Sequence, residues 1–120
     1  MDTTNDANFF RQIVNRIQMV IDPIQIILFG SQARGDATPE SDFDLLIIAP
    51  SKQSRWRRTL PVYQSLAGLG VSKDIVWWTP EEIAQWQNVK SHFITTVLRE
   101  GKILYENPAG SRAGTFDKSE

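Results

Sequence analysis

Apolar and polar residues follow two periods along this chain, one typical of helices and one typical of strands. In residues 9–21 apolar side chains recur every three or four positions, as they do on the buried face of an amphipathic helix. Residues 54–69 show similar spacing around Pro61, which lacks an amide hydrogen and would kink the helix or begin its main segment. A further helical stretch, residues 93–100, ends at Gly101.

Short apolar stretches between these helical segments predict β-strands. Residues 24–29 are rich in isoleucine and lie between Pro23 and Gly30, as expected of a buried strand. Similar stretches cover residues 42–48, 71–78 and 103–105. Because strands and helices alternate along the chain, the pattern predicts an α/β fold with a small mixed β-sheet flanked by helices.

One helix start is marked by a specific combination of residues. Thr79 can cap the helix, Pro80 suits its first position, and Glu82 lies three residues after Thr79. This spacing predicts a capping box, in which each of the two end residues bonds the backbone amide of the other. The helix is expected to run toward Val89.

Length, composition and charge fit one compact domain. The chain has 120 residues, of which 41% are hydrophobic and 22% charged, a balance typical of globular proteins. Residues 1–106 carry the predicted elements, whereas residues 107–120 are polar and aperiodic and are expected to form a mobile tail. Thirteen basic and fourteen acidic residues leave a net charge of -1, so no global field favours direct binding of nucleic acid.

The residue types that are missing narrow the choice of compartment and of metal ligands. The sequence has no cysteine, so a metal would be bound through oxygen and the chain suits a reducing compartment. No apolar run approaches the roughly 20 residues of a membrane span. We therefore expect a cytoplasmic protein with no membrane contact.

Gly30 and Ser31 form a candidate phosphate-binding turn. They follow a predicted strand and open a turn of helix, where backbone N–H groups lack partners within the helix and can bind an anion. Glycine allows close approach of a phosphate, and the serine hydroxyl adds a donor. Taken alone, the pair is more typical of an ordinary strand-to-helix turn.

Asp42 and Asp44 form a candidate metal site further along the chain, with ten residues between Ser31 and Asp42. Residues two apart in a strand project from the same face, so both carboxylates point the same way while Phe43 turns into the core. Such a pair needs a cation, and Mg²⁺ prefers carboxylate oxygens together with substrate phosphates. The alternative is a pair of surface aspartates, but the apolar run that follows Asp44 indicates a buried strand with its acidic end at the rim of the sheet.

Asp74 supplies a third carboxylate near the start of the next predicted strand. Beside the other two it could bind a metal ion and accept a proton from a hydroxyl nucleophile. On its own, it would be interpreted as a capping or surface aspartate.

The combination of Gly30-Ser31, Asp42-x-Asp44 and a later strand aspartate, Asp74, resembles the nucleotidyltransferase superfamily that includes DNA polymerase beta. The segment LFGSQARGDATPESDFDLLI is similar to minimal nucleotidyltransferases, which are often encoded beside HEPN-type proteins as toxin–antitoxin pairs. The resemblance covers most of residues 9–106. It implies that Asp42 and Asp44 bind Mg²⁺, that Asp74 is the third acidic residue, and that Gly30 and Ser31 hold the triphosphate of ATP.

Arg34 matches a position that is usually basic in this motif. It would either bind phosphate or form an ion pair with Asp36 or Asp44. The sequence does not decide between these roles.

Other polar and aromatic residues have two interpretations each. Trp78 shares the strand face of Asp74 and would either stack on a nucleobase or a partner, or cover the core. The basic cluster of residues 55–58 would either contact phosphate or an acidic partner, or form a solvated helix face. His92 has no carboxylate or second histidine at a catalytic or metal-binding spacing, so we assign it no chemistry.

The resemblance implies an antitoxin that transfers AMP from ATP to a hydroxyl, expected to be a tyrosine, of a cognate HEPN-type ribonuclease toxin. We expect the acceptor to arrive on a partner protein, because no stretch after Tyr105 offers an acceptor-binding domain. Two alternatives stay open. One is a small-molecule nucleotidyltransferase of the aminoglycoside-modifying type, and the other is a non-catalytic binder that neutralises its partner by occlusion.

Overall fold

The structure, a computed structural model, describes residues 3–35, 42–70, 72–86 and 93–107. In these ranges the helices are α1 (Thr3–Gln18), α2 (Ser31–Arg34), α3 (Arg55–Ser65), α4 (Pro80–Trp86) and α5 (Phe93–Glu100), and the strands are β1 (Gln25–Phe29), β2 (Phe43–Ile48), β3 (Lys73–Trp78) and β4 (Lys102–Glu106). The strands form one sheet in the order β3-β2-β1-β4. β1 is antiparallel to β2 and β4, and β2 is parallel to β3. The predicted α/β fold with a mixed sheet is confirmed.

Both faces of this sheet are buried. Alternate strand residues contact α1 and α3 on one face, in a cluster that includes Ile13, Leu28, Ile47, Val62 and Trp77. The residues between them form a second cluster with α5 on the other face, which includes Ile27, Leu46, Trp78 and Val97. Burial on both faces explains why the strands have continuous apolar runs instead of an alternating pattern.

The predicted helix boundaries differ from the observed ones. α1 begins at Thr3 and not near residue 9, because its first turns are polar and carry no apolar period to mark them. α3 is one helix from Arg55 to Ser65 with Pro61 inside it, so the expectation that Pro61 begins the main segment is wrong. Burial of Val62 and Leu66 against the sheet offsets the backbone hydrogen bond that proline cannot donate.

Parts of other predictions lie outside the described residues. These are Val71, the end of the helix expected to reach Val89, His92, and residues 108–120 of the predicted tail. Within the described part of the tail, the Asn107 N–H donates to the Ile24 carbonyl at 2.9 Å. No helix in the described ranges combines the length and apolar character needed to cross a membrane.

Side chains of α3 cover the outer edge of β3, which is the last strand of the sheet on that side. The Tyr63 hydroxyl accepts a hydrogen bond from the Ile75 N–H at 2.9 Å, and the Arg58 guanidinium donates to the Trp77 carbonyl at 3.0 Å. An uncovered strand edge presents free backbone groups that can pair with other chains. These two bonds satisfy part of that edge from within the molecule.

Arg58 links three elements of the fold. It is only 6% exposed and donates to Glu82 at 2.9 Å as well as to the backbone of β3. Glu82 in turn accepts from the Thr79 N–H at 2.8 Å, while its own N–H donates to the Thr79 hydroxyl at 3.2 Å. The capping box is therefore confirmed. Both interpretations of the cluster at residues 55–58 are wrong for Arg58, because its charge is used inside the fold.

The Arg58–Glu82 pair predicts a pH-dependent contribution to stability. The hydrogen bond from Arg58 lowers the pKa of Glu82 below its ordinary 4.5, and the Thr79 N–H adds to this while partial burial opposes it. A carboxylate with a lowered pKa stabilises the fold above its unfolded-state pKa, and this contribution is lost as the pH falls through the folded-state value. We expect Glu82→Gln to reduce the free energy of unfolding by about 1–3 kcal/mol at pH 7.

Urea unfolding at pH 7 and pH 3 tests this, with Glu81→Gln as the matched control because Glu81 is an exposed neighbour on the same helix turn. The difference between wild type and Glu82→Gln should be smaller at pH 3 than at pH 7, because pH 3 lies below the unfolded-state pKa and the contribution of the ionised carboxylate is being lost there. The control should stay within about 0.5 kcal/mol of wild type. Equal losses in both variants would contradict the role given to Glu82.

Candidate active site

Strand pairing brings the candidate residues to one end of the sheet. Asp44 of β2 lies opposite Phe29 on the neighbouring strand β1 and opposite Asp74 on the neighbouring strand β3. Because β2 and β3 are parallel, both begin at the same end of the sheet, where antiparallel β1 finishes and leads into Gly30. Asp42 lies immediately before β2 and is exposed. The structure thus places Gly30, Asp44 and Asp74 together, with Asp42 at the adjoining strand start.

Gly30 is in direct contact with the Asp44 carboxylate. A Cβ atom at position 30 would overlap Oδ2 of Asp44. In addition, Gly30 has φ +76°, a conformation that residues with a side chain rarely adopt. Two features therefore favour glycine here: the positive φ of the turn and the close approach of the Asp44 side chain.

The turn after Gly30 is a single tight helical segment. The Gly30 carbonyl accepts from the N–H groups of Ala33 and Arg34, both at 3.0 Å, and the Gly35 N–H closes the segment onto Ser31 at 3.0 Å. The N–H groups of Ser31 and Gln32 are the first of the helix and have no acceptor within it. Ser31 thus stands at the start of the turn, directly beside the contact between Gly30 and Asp44.

The electrostatic environment of Asp44 disfavours its negative charge. Burial is the largest cause of its raised pKa, and the neighbouring charges of Asp74 and Asp42 raise it further, while Arg34 lowers it. Arg34 is thus close enough to Asp44 to influence its charge, whereas Asp36, its other candidate partner, lies outside the described residues. A bound cation would relieve the repulsion at Asp44.

The carboxylates suit a metal site in which the protein supplies only some of the ligands. Among the described residues, no three acidic, histidine or cysteine side chains converge to form a ready-made metal cage. Mg²⁺ commonly uses one or two carboxylates and takes further ligands from substrate phosphates and water. Asp44 with Asp42 or Asp74 fits that mode, and the adjacent turn at Gly30 is open to a phosphate.

Tyr63 contacts the site, a feature that sequence reasoning missed. Its hydroxyl donates to Asp74 Oδ1 at 3.4 Å and accepts from the Ile75 N–H at 2.9 Å. The helical spacing of residues 54–69 puts Tyr63 on the apolar side of its helix, and the side chain does pack partly against the core. No local pattern could reveal that its polar end reaches Asp74 on another element.

A cleft adjoins the site on the face of the sheet covered by α5. Its volume is about 200 Å³, and its lining residues are Phe29, Gly30, Arg34, Thr96, Val97 and Glu100. The last three come from α5, for which the sequence predicted a helix and no functional role. Its amphipathic spacing explains Val97, which is buried, but gives no sign that Thr96 and Glu100 face a cleft.

Trp78, for which the sequence left stacking on a ligand and covering the core as alternatives, covers the core. Trp78 is buried in the second core cluster, and the Arg55 guanidinium lies 4.2 Å from its ring centroid. The interpretation of Trp78 as a cover of the core is confirmed, and the stacking alternative is wrong. Trp77 faces the first cluster, since strand alternation puts it on the face opposite Trp78, and its indole N–H donates to the Ala49 carbonyl at 2.8 Å.

The fold and this arrangement define the class of protein. Residues 11–109 match the family model described as polymerase beta, nucleotidyltransferase. This match spans most of the chain, so the chain belongs to the polymerase beta nucleotidyltransferase family. Comparison with curated proteins gives no significant match.

Solved structures with this fold include MNT-type nucleotidyltransferases of toxin–antitoxin complexes. One similar chain comes from a toxin–antitoxin complex with AMP-PNP (TM-score 0.60, 18% identity, 89% of this chain and 81% of that one). Another belongs to the complex of a tri-AMPylated Shewanella oneidensis HEPN toxin with an MNT antitoxin (TM-score 0.55, 17% identity, 88% and 76%). A candidate nucleotidyltransferase of Sulfolobus solfataricus has a TM-score of 0.59 at 18% identity, and the match covers 84% of this chain and 80% of that one. At these identities the likeness establishes the fold.

The contact between Gly30 and Asp44 predicts unequal effects of two similar substitutions. Gly30 and Gly35 both have positive φ angles, +76° and +88°, but a Cβ at Gly35 would meet nothing within 4 Å. Gly35→Ala should therefore cost only the backbone strain, about 1–2 kcal/mol. Gly30→Ala should cost more for two reasons: its ψ of -156° lies outside the left-handed helical region that Gly35 occupies, and the added Cβ displaces the Asp44 carboxylate. Urea unfolding of both variants measures the difference, and equal losses would contradict the close approach.

Removal of the Tyr63 hydroxyl should lower stability locally at the edge of β3. Tyr63→Phe removes the acceptor of the Ile75 N–H and the hydrogen-bond donor to Asp74, and we expect a loss of about 0.5–1.5 kcal/mol in local stability. Amide hydrogen exchange at Ile75 should become several-fold faster. Tyr105→Phe, at the chain's other tyrosine, is the control and should leave that amide unchanged. An unchanged exchange rate of the Ile75 amide in Tyr63→Phe would contradict the role given to the Tyr63 hydroxyl.

Proposed function

We propose that this chain is a Mg²⁺-dependent adenylyltransferase that transfers AMP from ATP to a tyrosine hydroxyl of a cognate HEPN-type ribonuclease toxin. In this proposal it is the antitoxin of the pair and acts in the cytoplasm. The observation that carries the proposal is the meeting of Asp44 and Asp74 with the Gly30 turn at one end of the sheet. Its family membership and the named complexes with a similar fold support it.

Each candidate residue has a role that its surroundings support. Asp42 and Asp44 would hold Mg²⁺ together with phosphate oxygens and water, and Asp74 would be the third acidic residue beside the metal. The metal, when bound, would neutralise charge on the triphosphate. The N–H groups at the start of α2 and the Ser31 hydroxyl would bind phosphate oxygens. Arg34 would bind phosphate from the same turn.

The neighbouring cleft is a suitable place for part of the nucleotide. It begins at Gly30 and Arg34 and is closed on one side by Thr96 and Glu100 of α5. Its volume, about 200 Å³, is below the roughly 300–1,000 Å³ of pockets that enclose a whole ligand. The cleft would therefore hold one portion of ATP and leave the α-phosphate near the carboxylates.

Asp74 would serve as the general base in this reaction. The acceptor oxygen attacks the α-phosphorus, the bond to the β-phosphate breaks, pyrophosphate leaves, and the hydroxyl proton passes to the Asp74 carboxylate. Asp74 is exposed at the sheet end, so a hydroxyl on a large partner can approach it. Tyr63 limits the orientations of this carboxylate through its bond to Oδ1.

Intact-mass analysis of the partner is the direct test. We expect incubation of the purified HEPN-type neighbour-gene product with this protein, ATP and Mg²⁺ to increase the partner's mass by one or more AMP units on a tyrosine. Asp44→Asn should abolish the increase without lowering the melting temperature, because it removes a charge that burial and two like charges oppose. Asp22→Asn is the matched control, since Asp22 is an exposed aspartate between α1 and β1.

The outcomes separate the proposal from its alternatives. If Asp44→Asn neutralises the partner as well as wild type does, and neither protein changes the partner's mass, neutralisation is by occlusion. Fast AMP transfer to an aminoglycoside, with the partner unmodified, would indicate a small-molecule enzyme. Either result would overturn the antitoxin proposal.

A further inference from the structure

Helix α3 leaves two large apolar side chains in solvent. Trp56 is 71% exposed and Leu60 is 54% exposed. They are four residues apart, so they are neighbours on one side of the helix. The Arg57 guanidinium lies 5.3 Å from the Trp56 ring centroid. We call Trp56, Arg57 and Leu60 the α3 outer face.

The composition of this face is unusual for a merely solvated helix surface. Tryptophan and arginine are enriched among the residues that contribute most to protein–protein binding. A large apolar side chain exposed beside another one is more informative than a single exposed leucine. Exposure of both side chains in the isolated chain therefore suggests a surface that is covered in a complex.

The charge of α3 indicates the chemistry of its partner. The helix carries three arginines in its first four residues and no acidic residue. Positive side chains near a helix N-terminus are unfavourable in the field of the helix dipole, so helix stability does not account for them. Arg58 is paired with Glu82 inside the fold and Arg55 lies over Trp78, which leaves Arg57 on the outer face. A partner surface with acidic groups around an apolar contact would complement it.

The α3 outer face approaches the candidate active site at its Leu60 end, whereas Trp56 lies beside Arg55 and Arg58, which contact Trp78 and Trp77 at the other end of β3. Tyr63 follows Leu60 by three residues and is therefore its neighbour along the helix. The Tyr63 hydroxyl bonds Asp74. A protein that binds over Trp56 and Leu60 would thus extend toward the carboxylate that is expected to accept the proton.

We propose that the α3 outer face is the docking surface for the acceptor protein, which binds it with an acidic-rimmed apolar surface. This inference rests on the proposed function, because it takes the acceptor to be a protein. Nucleic acid is a poorer fit: Leu60 offers nothing to a phosphate backbone, and the chain has a net charge of -1. Docking here would deliver the acceptor hydroxyl to Asp74 from a fixed direction.

The test compares two exposed apolar pairs. The double variant Trp56→Ala/Leu60→Ala removes the α3 outer face, and Met19→Ala/Val20→Ala removes an equally exposed pair (82% and 45%) that follows α1. Calorimetric titration with the HEPN-type neighbour-gene product should show at least about a 30-fold loss of affinity for the first variant and no change for the second. Binding of AMP-PNP should be unchanged in both.

The charge argument has its own matched pair. Arg57→Glu should weaken the binding of the same partner, and more strongly at low salt than at high salt, because exposed charges are screened. Arg11→Glu, at an exposed arginine of α1, is the control. A similar loss in both variants would mean that only net charge matters and would overturn the inference.

The results distinguish failure of this inference from failure of the proposed function. If wild type and Trp56→Ala/Leu60→Ala modify and bind the partner equally, the docking surface is wrong and the transfer activity stands. If wild type binds the partner through Trp56 and Leu60 but never modifies it, the docking surface stands and the transfer activity is wrong. Trp56→Ala/Leu60→Ala could instead lose self-association of this chain or binding to single-stranded RNA while its binding of the partner is unchanged. That result would overturn the inference.

Discussion

The approach of the Gly30 backbone to the Asp44 carboxylate is the constraint on which the site depends. It requires that β1 end at Phe29, opposite Asp44, and that the chain turn at once into α2. A side chain at position 30 could not be accommodated without moving β2 or the carboxylate. The turn that can bind a phosphate and the strand end that can bind a metal are thus positioned by the same contact.

This arrangement carries an electrostatic cost that the scaffold must offset. Asp44 is partly buried and has like charges beside it, so its pKa is raised and its ionised form is disfavoured in the free protein. The strand that holds it continues into four consecutive buried residues, Leu45, Leu46, Ile47 and Ile48. At about 1.5–3 kcal/mol for each buried aliphatic side chain, their burial far exceeds the repulsion of one carboxylate. The acidic end is therefore kept in place by the apolar run that follows it, which is the feature that made Asp42 and Asp44 recognisable in the sequence.

What could be predicted from the sequence was local. The spacing of Asp42 and Asp44, the Thr79–Glu82 capping box and the alternation of strand faces depend on neighbouring residues, so short-range rules were sufficient. The partners of Arg58 and Tyr63 depend on how α3 crosses the edge of β3, and no periodicity encodes that crossing. A basic cluster at residues 55–58 therefore suggested a solvated or ligand-binding surface, although one of its arginines is buried against Glu82. The lining of the cleft by α5 was missed for the same reason.

Helix α3 connects the stability of the fold with the proposed docking of a partner. Its inner side covers the edge of β3 through Arg58 and Tyr63, and its outer side exposes Trp56 and Leu60. Because Arg58 ties the helix to the backbone of β3 and to α4, the helix has little freedom to shift on the sheet. A partner bound to its outer side would therefore be fixed relative to Asp74 within the same rigid unit. Since positioning supplies much of the rate in phosphoryl-type transfer, a rigid docking helix beside the candidate base can do for a protein acceptor what an enclosed pocket does for a small one.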